Sequence, residues 1–134
     1  MLSRSSLLRV ALFLPMAVGL AGCNTWWRQT PPDYPVFFTP GSAALSETAQ
    51  AVIQVAADYA KQHTRQNVVV NGYADQTGNT GANNALSAER AKAVTDQLVI
   101  DGVARARIHY NANGPSGALL SGQADRRVDI TIGD

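Results

Sequence analysis

Apolar residues fall along this chain in segments of different period. Val10 to Leu20 is almost wholly apolar, with Pro15 inside it. Residues 24–33 show no period and contain Pro31-Pro32, the composition of a tether. A folded domain is predicted to start near Tyr34. Val36-Phe37-Phe38 suits a first strand that Pro40-Gly41 ends. Leu45, Ala49, Val52, Ile53, Ala56 and Ala60 then recur at helical spacing, with Gln50, Gln54, Asp58 and Lys61 mostly on the wet side. Ser46 is a suitable N-cap and Glu47 a suitable first-turn acid, so a helix is expected to about Gln62.

The β-branched run Val68-Val69-Val70 predicts a buried strand within Asn67–Tyr73. Residues 75–81 hold two glycines, two threonines and an asparagine, and read as a loop. A second helix is expected from near Asn83 to Asp101-Gly102, with Ala91, Val94 and Leu98 on one face and Gly102 as the residue after the cap. Ile108–Ala112 reads as a third strand and residues 114–123 as a Gly/Ser-rich loop. In Arg127–Ile132, Val128, Ile130 and Ile132 alternate with Asp129 and Thr131, the pattern of a half-solvated last strand. The order βαβαββ predicts an α+β fold: a two-layer sandwich with two helices on one face of a mixed four-stranded sheet.

Charge and cysteine usage change the picture at the amino-terminal end. Arg4 and Arg9 precede the apolar run, and Leu20-Ala21-Gly22-Cys23 follows it. A basic start, a short apolar stretch and small residues before a cleavage point make a secretory signal, too short to remain as a membrane span. Residues 1–22 are therefore expected to be removed, residues 23–33 to form the new terminus and tether, and residues 34–134 to form one domain. Eleven basic residues stand against ten acidic ones in the full chain. Removal of Arg4 and Arg9 leaves nine against ten (11 − 2 = 9), so no basic block supports nucleic-acid binding. Cys23 is the single cysteine, which excludes an internal disulfide.

Cys23 behind its small residues resembles the lipobox of bacterial lipoproteins. The resemblance implies a diacylglycerol on the sulfur and an acyl chain on the new amino terminus, together enough for stable anchoring. Asn24 resembles the second residue of lipoproteins sorted to the outer membrane. Trp26 and Trp27 suit a headgroup interface, the core or a loose linker.

Enzyme chemistry finds little support. His63 and His109, the two histidines, lack a metal-ligand partner at helical or hairpin spacing, and no free cysteine or nucleophile elbow is present. No metal or cofactor is expected. The informative stretch is Val68 to Leu98. A buried strand delivers Asp75 at its carboxyl end, and a loop leads into a helix whose first turns carry Asn83, Ser87 and Arg90. Strand ends facing helix N-termini are common ligand sites. Asp75 offers a carboxylate to an ammonium group and Arg90 a planar fork to a carboxylate, together a clamp for an amino-acid head group. The same residues also suit a plain turn at 75–78 and an arginine that is solvated or pins the loop; the residues alone leave both readings open.

The pattern resembles the OmpA-like C-terminal domain. That family carries G-H/Y-T/A-D-x-x-G and then N-x-x-L-S-x-x-R-A-x-x-V-x-x-x-L. Here these appear as Gly72-Tyr73-Ala74-Asp75 with Gly78, then Asn83, Leu86-Ser87, Arg90-Ala91, Val94 and Leu98. Gly102-Val103, Arg107-Ile108 and Asp125-Arg126-Arg127-Val128 extend the likeness over about residues 34–132. It implies non-covalent binding of peptidoglycan through the diaminopimelate of the stem peptide. Asp75 would take the ammonium and Arg90 the carboxylate, with Asn83 beside the pocket and Arg126 in support. The implied protein is an outer-membrane lipoprotein facing the periplasm, non-enzymatic, linking membrane to wall. Departures from the family lie at Asp125, where asparagine is usual, in the shorter 114–123 loop and in the short tether. Asp125 and the trimmed loop favour the alternative, an assembly lipoprotein that binds another envelope protein instead.

Overall fold

The computed structural model describes residues 31–74, 78–115 and 125–133. The signal segment, Cys23 and the tether up to residue 30 lie outside the described residues, as do Asp75 and residues 116–124 of the Gly/Ser-rich loop. The elements run β1 (Asp33–Phe37), α1 (Glu47–Gln62), β2 (Asn67–Ala74), α2 (Thr80–Ile100), a single 3-10 turn at Arg105–Arg107, β3 (Ile108–Pro115) and β4 (Arg127–Gly133). The sheet order is β1-β4-β2-β3. β4 pairs antiparallel with β1 and β2, and β3 pairs parallel with β2, so the sheet is mixed as the element order predicts.

Register places the apolar set of every strand on one face. Val68 lies opposite Ile132, Val70 opposite Ile130 and Gly72 opposite Val128, while Val36 of β1 meets Val128 from the other side. All of these are buried, and the residues between them are not. α1 closes the core with Ala49, Ile53, Ala56, Ala57 and Ala60, and α2 with Ala91, Val94 and Leu98. Full burial of a side chain such as Ile53 or Leu98 contributes about 1.5–3 kcal/mol. The alanines of α1 let its backbone approach the sheet. α2 approaches β2 at Gly72, where a Cβ would stand 2.3 Å from the Ser87 carbonyl oxygen and 3.1 Å from the Ala91 Cβ.

Helix ends follow local chemistry. The Ser46 hydroxyl accepts from the Ala49 N–H at 3.1 Å, capping α1 as expected. α2 begins at Thr80 rather than near Asn83, because the Asn79 side chain caps it by accepting from the Ala82 N–H at 3.0 Å. It ends in a Schellman arrangement: Val103 N–H to the Leu98 carbonyl, Gly102 N–H to the Val99 carbonyl, and Gly102 at φ 101°.

Two strands differ in extent from the expectation. β1 starts at Asp33 and stops before Phe38, because pairing with β4 sets its limits. Thr131 donates its hydroxyl to the Asp33 carboxylate, and Pro35 is tolerated because β1 is an edge strand. β3 continues past Ala112 to Pro115 along β2, through a register shift between Gly72 and Ala74.

Candidate functional site

The carboxyl ends of β1 and β2, the start of β4 and the first half of α2 converge at one end of the sheet. The Phe38 N–H donates to the Arg126 carbonyl at 2.9 Å, tying the chain after β1 to the residue before β4. Arg90, on the inner side of α2, lies beneath this junction and is 0 % exposed. Its Nε donates to the Ser42 carbonyl at 2.8 Å, Nη2 to the Thr39 carbonyl at 3.1 Å and Nη1 to the Tyr73 carbonyl at 3.3 Å. The guanidinium carbon stands 5.2 Å from the centre of the Phe38 ring. One cation thus joins the β1–α1 connection, the end of β2 and α2. A planar fork suits this task, since its donors diverge toward separate carbonyls in nearly one plane. A buried guanidinium also persists only where its donors are satisfied.

The described residues among the other expected ones lie on the elements that meet here. Tyr73 and Ala74, the last residues of β2, lead directly into Asp75, which lies outside the described residues. Asn83 is half-buried in the first turn of α2. Ser87, fully buried one turn before Arg90, donates its hydroxyl to the Asn84 carbonyl at 2.9 Å. Arg126 is half-buried immediately before β4. Asp125 beside it is 5 % exposed, so this departure from the family pattern is a buried side chain and not a surface one. Arg90 and Arg126 therefore lie at the end of β2 that leads into Asp75, with Asn83 two turns before Arg90 on α2.

Arg127 and Arg107, to which the sequence reading gives no role beyond the family likeness, each have a definite structural task. Arg127 caps the Tyr73 ring at 4.7 Å on the open face of the sheet and pairs with Asp129 at 3.0 Å. Arg107 works at the opposite end of the molecule. Its guanidinium donates to the carbonyls of Ala60, His63 and Gln66, at 2.7 to 3.1 Å, closing the carboxyl end of α1. A hollow of about 310 Å³ lined by Gln62–Gln66 lies at this second end, away from the Asp75 strand terminus. Among the described residues no helix is long and apolar enough to cross a membrane, and no cluster of His, Cys, Asp and Glu could hold a metal ion.

The two ends are also distinguished by where the chain enters. Asp33 pairs with Thr131, and Thr131 with Val69 near the start of β2. Pro31 lies against Gly133 at that same end. The tether side and the Asp75 side are therefore opposite ends of the sheet, separated by the length of β2. At ~3.3 Å per residue, Val69 to Ala74 alone spans about 17 Å.

Residues 37–127 match the OmpA family, and the chain belongs to it. The peptidoglycan-binding protein ArfA of Mycobacterium tuberculosis is 38% identical over 104 residues, covering 73% of this chain and 32% of that protein. The peptidoglycan-associated lipoprotein of Mesorhizobium japonicum is 37% identical over 73 residues, covering 54% of this chain and 44% of that protein. Both alignments span less than half of the relative's own length. The crystal structure of the peptidoglycan-associated lipoprotein from Burkholderia pseudomallei superposes with a TM-score of 0.69 at 28% identity, over 74% of this chain and 89% of that one.

Proposed function

We propose that this protein is a non-catalytic cell-envelope lipoprotein whose domain binds peptidoglycan at the diaminopimelate of the stem peptide. The observation that carries the reading is the meeting of Arg90 and Arg126 at the end of β2 that leads into Asp75, with Asn83 in the first turn of α2, the helix that carries Arg90. Relatives named for peptidoglycan binding or association support it. In this reading the Asp75 carboxylate holds the ligand ammonium. Arg90 fixes the surrounding carbonyls from below and supplies the positive charge that draws the ligand carboxylate. Direct contact with that carboxylate requires the guanidinium to become accessible on binding. Asn83 and Arg126 border the site. Cys23, acylated, holds the protein to the outer membrane, with the domain in the periplasm. Entry of the chain at the opposite end from Asp75 suits a link between membrane and wall.

Full burial of Arg90 on main-chain carbonyls favours a second reading, in which the fold is kept and another envelope protein is the partner. Sedimentation with purified sacculi separates the two. Wild-type protein pellets with sacculi, and Asp75→Ala weakens binding by at least about 30-fold, since truncating one partner of a desolvated charge pair costs ~2–5 kcal/mol. Absence of wild-type binding would favour the protein-partner reading. Cys23→Ala releases the protein from membranes; continued co-sedimentation with membranes would refute the anchor.

A further inference from the structure

The two edges of the sheet are built differently. β1 has five residues and carries Asp33 and Pro35, both of which discourage strand addition. β3 has eight residues, contains no Lys, Arg, Asp or Glu, and has no proline before Pro115. His109, Tyr110, Asn111, Ala112 and Asn113 are all exposed along it, and among the described residues no strand pairs with its outer edge. Long, uncharged edges of this kind are templates for pairing with another chain.

The surroundings of β3 indicate which chain. Tyr110 is 46% exposed, with the Arg105 guanidinium carbon 5.7 Å from its ring centre. α2 packs over β2 and β3, and its outer surface carries Lys92 and Asp96, ion-paired at 2.6 Å yet largely exposed. The Lys92 ammonium is held above its usual range by its hydrogen bond and charge pairing with Asp96.

We propose that β3 is a homodimer interface, pairing antiparallel with β3 of a second copy about a twofold axis at Tyr110 and extending the four-stranded sheet to eight strands. Under that symmetry His109 lies opposite Asn111 of the partner copy, and the two α2 helices run side by side in opposite directions. Lys92 of one copy then faces Asp96 of the other, and the reverse. A twofold contact must be complementary to itself, and this pair of opposite charges one helical turn apart meets that condition. The same operation at β1 would set Asp33 and Pro35 against a partner edge, and fails.

The test uses the full-length protein in its membranes. Cys23 is the chain's single cysteine, so wild type sets the baseline for disulfide formation. Tyr110→Cys gives cross-linked dimers on mild oxidation well above that baseline, because directly opposed Cβ atoms of antiparallel strands lie ~4.5–5.5 Å apart. Val55→Cys, at an exposed position on α1, stays at baseline. In the Tyr110→Cys protein, adding Lys92→Asp lowers the cross-linked fraction several-fold, and adding Asp96→Lys to that restores it. Sedimentation of the unsubstituted protein in detergent gives a dimer mass at tens of micromolar. Cross-linking at Tyr110 no greater than at Val55, no response to the charge reversal, or a monomer mass throughout overturns the proposal.

Discussion

Arg90 does at residue scale what several apolar side chains would otherwise do: it fills a buried volume and holds three segments together. Its carbonyl partners at Ser42 and Thr39 lie 48 and 51 positions away in the chain, which is why no local pattern signals its burial. Read alone, an arginine in the first half of a helix is as easily a solvated residue. Arg90→Ala leaves the carbonyls of Thr39, Ser42 and Tyr73 without this donor and opens a void, and is expected to cost ~3–5 kcal/mol. Arg90→Lys recovers little, because a single ammonium cannot span the fork's three directions. Thermal melting checks both; a midpoint within 2–3 °C of wild type, where ~1 kcal/mol shifts it about 4–8 °C, would show that the network is dispensable. Loss of sacculus binding in an Arg90 variant therefore carries weight only beside a melting curve, whereas Asp75→Ala is expected to melt as wild type does. Gly72 presents the opposite case of a residue defined by what it lacks. Gly72→Ala drives a methyl group into the Ser87 carbonyl and is expected to lower stability by ~1–3 kcal/mol in chemical denaturation.

At the scale of elements, the chain's periodicity was informative where one partner decides burial. The alternation from Val128 to Ile132 picks out the buried residues, and the α1 stripe and the Val68-Val69-Val70 run pick out most of theirs, with Leu45, Val52 and Val69 only partly buried and Ala57 buried outside the expected stripe. α2 was harder to bound, because its inner face mixes Ala91, Val94 and Leu98 with Ser87, Arg90 and Thr95. Its apolar stripe begins late, and the Asn79 cap that sets its start lies in the preceding loop. β1 and β3 were misjudged in length for a related reason: register with β4 and β2 sets their limits, and register is not a local property. Arg107 shows a long-range contribution to a helix end. The carbonyls at the close of α1 are satisfied by a side chain 41 to 47 residues downstream. Arg107→Ala is expected to cost about 1.5–3 kcal/mol and to speed amide exchange in the last turn of α1 ahead of the remaining helix. Uniform exchange across α1 would contradict that local role.

For the whole molecule, strand order is the property that the sequence left open and that matters most for function. The order β1-β4-β2-β3 puts the entry of the chain and the carboxyl end of β2 at opposite ends of one rigid sheet. In the proposed reading, an anchor at Cys23 and a ligand at the Asp75 end would then act through the length of the domain itself. Candidate site residues were legible as a motif; their placement around one buried arginine was not. The central claim is that the Asp75 end of the domain recognises diaminopimelate. Its most direct test is titration of the protein from Asn24 onward with meso-diaminopimelate, followed by two-dimensional amide NMR. The account predicts saturable shifts confined to residues 72–90 and 125–127, absent in Asp75→Ala. No shifts at millimolar ligand, or shifts unchanged by Asp75→Ala, would contradict it.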